Sequence, residues 1–195
     1  MTSIVLASSN PGKVRDVNEL LGSHRITVLP QSQFGVADAE ETGLTFVENA
    51  ILKARNAALH TGLAAIADDS GLEVDALNGA PGIYSARYAG KDAGDRANLE
   101  KLLLDLADVP EQERTARFQC LMVYMRHAND PTPVICQGTW EGRILLVPRG
   151  EQGFGYDPVF FVPTHGCSSA ELEPAVKNAL SHRGQALRKL VAALS

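Results

Sequence analysis

Leu63-Ala64-Ala65-Ile66-Ala67-Asp68-Asp69-Ser70-Gly71 is the stretch on which the fold turns: five apolar residues run straight into two carboxylates, a hydroxyl and a glycine. The apolar run has the length of one buried strand. The abrupt polarity after it predicts a strand over residues 63–67 that delivers Asp68, Asp69, Ser70 and Gly71 to its C-terminal end. Open α/β sheets bind ligands at that end, so position alone makes these residues candidates for function.

Before this strand, Thr45-Phe46-Val47-Glu48 has the form of a capping box. It predicts a helix running to about His60, with Phe46, Ala50, Ile51, Ala54 and Ala58 on its buried side. Earlier still, residues 26–29 (Ile-Thr-Val-Leu) read as a strand. Ile4-Val5-Leu6-Ala7 reads as another, ended by Ser8-Ser9-Asn10-Pro11-Gly12. From Lys13 a helix follows through Val14, Val17, Leu20 and Leu21, with Gly22 stopping the pattern.

After the central strand, turns at Asn78-Gly79-Ala80-Pro81-Gly82 and Ala89-Gly90-Lys91-Asp92 flank a segment without clear period. Leu99, Leu102, Leu103 and Leu106 mark a helix. Strands over 116–124 and 134–140 flank a turn at Asn129-Asp130-Pro131, and 144–147 and 159–162 read as two more strands. Residues 185–194 form an amphipathic helix through Leu187, Leu190, Val191 and Leu194. Strand–helix units followed by consecutive strands predict an α/β fold whose sheet is mixed, not wholly parallel, and is flanked by helices. A cleft between two lobes follows from such a succession.

The 195 residues are expected to form one two-lobed domain, since 45% hydrophobic and 21% charged residues suffice for a core without disulfides. A net charge of −5 disfavours non-specific nucleic-acid binding. Cys120, Cys136 and Cys167 are odd in number and widely spaced, which fits neither a disulfide framework nor a zinc site and points to the reducing cytoplasm. No signal segment and no membrane span are expected.

Four stretches carry candidate chemistry. Ser8-Ser9-Asn10-Pro11-Gly12-Lys13 puts small polar groups and a cation at a strand-to-helix junction, which suits a phosphate. A tight turn with a solvated Lys13 is equally compatible. Asp68 and Asp69, with Glu40 and Glu41, supply hard oxygen ligands suited to Mg²⁺, or else an exposed acidic turn. Gly150 to Asp157 (Gly-Glu-Gln-Gly-Phe-Gly-Tyr-Asp) is a glycine-freed loop able to stack a base on Phe154 and accept hydrogen bonds at Asp157, or a plain connection with core aromatics. Lys177 and Ser181-His182-Arg183 place donors just before the last helix, fit for the carbonyl of a 6-oxo purine. The alternative is a Ser181 cap with a basic pair in solvent.

Taken in order, these stretches resemble the inosine triphosphate pyrophosphatase family, which removes non-standard purine nucleoside triphosphates. The resemblance runs almost end to end. It is carried by Ser8-Ser9-Asn10-Pro11-Gly12-Lys13, Glu41-Thr42-Gly43-Leu44-Thr45-Phe46-Val47-Glu48-Asn49-Ala50, Ala67-Asp68-Asp69-Ser70-Gly71-Leu72, Gly82-Ile83-Tyr84-Ser85-Ala86-Arg87-Tyr88, Phe154-Gly155-Tyr156-Asp157-Pro158 and Lys177-Asn178-Ala179-Leu180-Ser181-His182-Arg183. Two departures are Pro11, which lacks an amide donor, and Val176, where an acidic residue often precedes the lysine.

The resemblance implies a homodimer, an elongated sheet of the kind shared with the Maf-like fold, and conversion of ITP, dITP or XTP to the monophosphate and pyrophosphate. It implies that Ser8, Ser9, Asn10, Gly12 and Lys13 hold phosphates and that Ser70 contacts substrate. Asp69 would bind Mg²⁺ and act as base, with Glu41, or failing it Glu40, as second ligand. Phe154 would stack on the purine within the Phe154-Gly155-Tyr156-Asp157 loop, and Asp157, Lys177, His182 and Arg183 would line the base pocket. The implied reaction is attack of an activated water on the α-phosphorus, with Asp69 taking the proton. Rivals are a pyrimidine triphosphate as target, a nucleotide-binding regulator without turnover, and a dinucleotide-binding oxidoreductase. The last lacks GxGxxG in the first loop.

Overall fold

The structure, a computed structural model, describes residues 2–8, 11–21 and 26–194. The elements run β1 (Thr2–Leu6), α1 (Pro11–Leu21), β2 (Ile26–Pro30), α2 (Phe46–Thr61), β3 (Ala64–Val74), α3 (Asp95–Asp105), β4 (Thr115–Met125), β5 (Val134–Ile144), β6 (Phe160–Val162), β7 (Cys167–Ser168), α4 (Pro174–Leu180) and α5 (His182–Leu194). Seven strands form one sheet in the order β2-β1-β3-β4-β5-β6-β7. β1 is parallel to β2 and to β3, with Ile4 opposite Val28 and Ala64, whereas β5–β6 and β6–β7 are antiparallel. The sheet is therefore mixed, as the order of elements predicted.

The chain divides into two compact units, Met1–Asp69 with Cys120–Gly138 and Gln185–Ser195, and Ser70–Gln119 with Thr139–Gly184. In the first, strand alternation sends side chains to opposite faces. Ile4, Leu6 and Ile66 pack with Val17 and Leu21 of α1 and Leu187 and Leu190 of α5. Val5, Ala65 and Ala67 face Ala50, Ala54, Ala57 and Ala58 of α2. The second unit has its own core, in which Leu72, Val74, Phe118, Trp140, Ile144 and Phe160 pack on Leu99, Leu102 and Leu106.

α2 starts where the capping box placed it. Thr45 Oγ1 accepts from Glu48 N at 3.3 Å, and the Glu48 carboxylate accepts from Thr45 Oγ1 and Leu44 N. The Thr45 hydroxyl, more than the backbone amides, holds the Glu48 pKa below the ordinary carboxylate value.

Several expectations need correction. The strand over 63–67 does not end at Asp68: β3 continues to Val74, so Asp68, Asp69, Ser70 and Gly71 lie within the strand. Leu72 and Val74 are fully buried at alternating positions and keep the chain in the sheet. Residues 144–147 are not a strand; β5 carries through to Ile144 and then leaves the sheet, with Leu146 and Val147 exposed. The last helix begins at His182, because Ser181 Oγ accepts from Gly184 N at 3.1 Å and caps it. Lys177 stands on a separate short helix, α4, opened by Pro174 at its first turn. The stop predicted at Gly22 lies outside the described residues.

Candidate active site

In the first unit the period of two along β3 decides the electrostatics. Asp68 shares the face of Ile66 and meets Lys13 of α1, whose Nζ donates to both carboxylate oxygens at 2.9 Å. Asp69 shares the face of Ala67 and meets Lys53 of α2 at 2.8 Å. The adjacent carboxylates are therefore not crowded together, and each is offset by its own ammonium group. Asp68 is only 5% exposed, so the pairing with Lys13 is what makes its charge tolerable there.

Lys53 also donates to Glu41 Oε1 at 2.9 Å, which ties the loop before α2 to Asp69. That loop is docked by Gly43, whose amide donates to Asn49 Oδ1 at 2.9 Å. A Cβ on Gly43 would lie 2.6 Å from Glu48 Cβ and 2.7 Å from Asn49 Oδ1, so only glycine permits the approach. Glu40 is exposed and forms no ion pair among the described residues. Burial pushes the Asp69 pKa up, Lys53 pulls it back, nearby Glu41 adds to the rise, and the net direction is upward. For Lys53 burial acts to lower the pKa, but Asp69 and Glu41 outweigh it and the net shift is upward.

Asp69 Oδ2 is buried and no hydrogen bond of normal geometry reaches it; the Asn49 side chain beside it, whose Nδ2 is likewise without a well-formed bond, lowers the Asp69 pKa. No group of three or more His, Cys, Asp or Glu able to hold a metal is found among the described residues. Mg²⁺ needs no such cage. It is commonly held by one or two carboxylates with water and substrate phosphate completing the octahedron, and an Asp69 oxygen without a well-formed bond, beside Glu41, fits that demand. Ser8 is partly buried, and Gly12 and Lys13 belong to the first turn of α1; Ser9 and Asn10 lie outside the described residues.

In the second unit the Phe154-Gly155-Tyr156-Asp157 loop is held at each residue. Phe154 N donates to Asp157 Oδ2, Gly155 N to Asp95 Oδ2, both at 2.8 Å, and the Tyr156 hydroxyl to Ser85 O at 2.7 Å. Asp157, 4% exposed, also accepts from Ser169 Oγ at 2.8 Å and from Lys177 Nζ. Both its oxygens are thus engaged within the protein, and it organises the loop. A Cβ on Gly153 would lie 2.1 Å from Asp157 Oδ2, so glycine is required there, at φ +83°. The Phe154 ring is 66% exposed, with Lys177 Nζ 5.4 Å and Arg183 Cζ 6.0 Å from its centre. Arg183 Nη2 reaches Ser70 Oγ at 3.4 Å, and His182 stacks on Phe118 with centroids 4.8 Å apart and planes 13° apart.

Two clusters emerge: Lys13, Glu41, Lys53, Asp68 and Asp69 in one unit, and Ser70, Phe154, Asp157, Lys177, His182 and Arg183 in the other. Sequence reasoning passed over Lys53, Asn49, Asp95, Phe118 and Ser169. Lys53 had a usable signal. It lies four residues after Asn49 and seven after Phe46, on the buried face of an alanine-rich helix, where a lysine demands a partner.

Long strands that carry ionised side chains at mid-strand, in a mixed sheet with helices on both faces of its parallel end, define a class of α/β protein that presents charge from the sheet itself. The chain belongs to the Ham1 family, whose family model matches residues 4–193. It is 65% identical over 195 residues to a dITP/XTP pyrophosphatase of Vibrio parahaemolyticus, covering 100% of this chain and 98% of that protein. It is 64% identical over 188 residues to a dITP/XTP pyrophosphatase of Thioalkalivibrio sulfidiphilus, covering 96% of each. Among solved structures, a HAM1 protein from Coxiella burnetii superposes with a TM-score of 0.97 at 54% identity, covering 100% of this chain and 98% of that one. A nucleoside-triphosphatase / dITP/XTP pyrophosphatase from Mycobacterium abscessus gives 0.82 at 40% identity, covering 100% of both chains.

Proposed function

We propose that this protein hydrolyses the non-standard purine nucleoside triphosphates dITP, ITP and XTP to the monophosphate and pyrophosphate. The observation that carries the reading is Asp69, a partly buried carboxylate with one oxygen on Lys53 and the other reached by no hydrogen bond of normal geometry, beside Glu41. Full-length identity to proteins named for this activity supports it.

In this reading Asp69 accepts the proton of the water that attacks the α-phosphorus. The new bond is between that water's oxygen and phosphorus, and the bond to the leaving pyrophosphate breaks. Lys13 and Lys53 offset phosphate charge, with Ser8, Ser9, Asn10 and Gly12 as neutral contacts and Ser70 as a hydroxyl contact. Glu41 and Asp69 would hold Mg²⁺, which when bound supplies charge against the polyphosphate and activates water. Phe154 stacks on the purine in the loop shaped by Gly155, Tyr156 and Asp157. Lys177, His182 and Arg183 donate toward its oxygens, so that adenine, with an amino group at position 6, leaves donors unpaired.

A two-fold homodimer, which the family resemblance implies, and a cytoplasmic location, in keeping with three free thiols, belong to the same reading. No helix among the described residues is long and apolar enough to cross a membrane. The deciding experiment is pyrophosphate release from a panel of dITP, XTP, dATP, dGTP and pyrimidine triphosphates, with and without Mg²⁺. Preference for dITP and XTP of two orders of magnitude over dATP is expected. Equal rates on all purines, or preference for a pyrimidine, overturns the assignment. Light scattering at micromolar concentration is expected to give twice the chain mass.

A further inference from the structure

Phe154 is exposed and flanked by the Lys177 and Arg183 cations, and its backbone sets the direction in which its side chain leaves the chain. The two peptide units flanking its Cα are each locked by a carboxylate. The preceding one is held through Phe154 N by Asp157, and the following one through Gly155 N by Asp95, each at 2.8 Å. With both planes held, φ and ψ of Phe154 are set, and so is its Cα–Cβ bond. Gly155 itself sits at φ +61°, a conformation favoured by glycine that a hydrogen bond helps to maintain.

Asp157 belongs to the loop, whereas Asp95 comes from the first turn of α3, a segment to which the sequence motifs assign nothing. We infer that Asp95 is a positioning residue for the base platform, setting the angle at which Phe154 meets a purine. The inference rests on the proposed stacking role of Phe154. Asp95 contacts no reacting atom; it acts through the Gly155 amide, so it governs binding of the base and not the chemical step. The other account of Asp95 is an acidic residue at the start of a helix, whose charge favours the helix dipole.

The two accounts separate in steady-state kinetics on dITP. Asp95→Ala is expected to raise KM about five- to tenfold with kcat within about twofold, the effect of losing one charge-assisted hydrogen bond that is partly open to solvent. Asp95→Asn keeps an acceptor oxygen but not the charge, so near-wild-type KM is expected. The helix account predicts that Asn behaves as Ala. Inhibition by inorganic tripolyphosphate, which has no base, is expected to be unchanged in every variant and reports an intact fold. In a Phe154→Ala background Asp95→Ala is expected to add nothing.

The inference is overturned if Asp95→Ala leaves KM unaltered while Phe154→Ala raises it, if Asn fails to rescue, or if the Asp95 effect persists undiminished without Phe154. If Phe154→Ala itself leaves KM for dITP unaltered, the stacking reading falls and the positioning role falls with it.

Discussion

Replacing Lys53 with methionine tests the electrostatic arrangement around Asp69 directly. Methionine retains the apolar stem but removes an ammonium group lying 2.8 Å from Asp69 and 2.9 Å from Glu41. Two carboxylates with side chains 12% and 28% exposed then face each other without a shared cation. Removing one partner of a fully buried pair destabilises by ~3–5 kcal/mol, and the remaining solvent access here reduces that to about 2–4 kcal/mol. For a chain of this size that is a fall in Tm of roughly 5–15 °C. Thermal unfolding followed by circular dichroism in EDTA is the assay. Millimolar Mg²⁺ is expected to restore part of the loss, because a cation between Glu41 and Asp69 replaces the missing charge. Adding Asp69→Asn to the variant is expected to recover stability, since only one carboxylate is then left. A Lys53→Met protein within about 1 kcal/mol of the parent in EDTA would refute the reasoning.

Asp69→Asn alone is expected to preserve the fold and lower pyrophosphate release at least ~100-fold, as an amide cannot take the water's proton; a near-normal rate removes Asp69 from its role. Arg183→Ala is expected to lower kcat/KM on dITP far more than on dATP and so narrow the ratio, whereas equal losses on both would make Arg183 a structural or phosphate contact. The Arg117 guanidinium, with the Thr115 hydroxyl, holds the Asp75 pKa down at about 2. A depressed carboxylate pKa contributes stability above the unfolded value near 4 that is lost as pH falls through about 2. Urea unfolding should therefore show Asp75→Asn less stable than the parent at pH 7, the gap closing between about pH 4 and pH 2. A gap independent of pH contradicts the linkage.

What the sequence by itself determined was local or cumulative. The capping box at Thr45 and Glu48 placed the start of α2, because its bonds join residues three and four apart. The order of strand and helix patterns gave a mixed α/β sheet, and six stretches in order carried the family. What only the tertiary structure decided was which charges meet. Asp68 and Asp69 are neighbours in the chain, yet a strand's period of two sends one to Lys13 and the other to Lys53, 55 and 16 residues away. Glu41 and not Glu40 joins them, because Gly43 docks the loop on Asn49 and leaves Glu40 in water. Asp95 reaches the Gly155 amide 60 residues further on, a contact no local pattern encodes. Propensity and periodicity act over a few residues, whereas the partner of a buried charge is chosen by packing across the sheet.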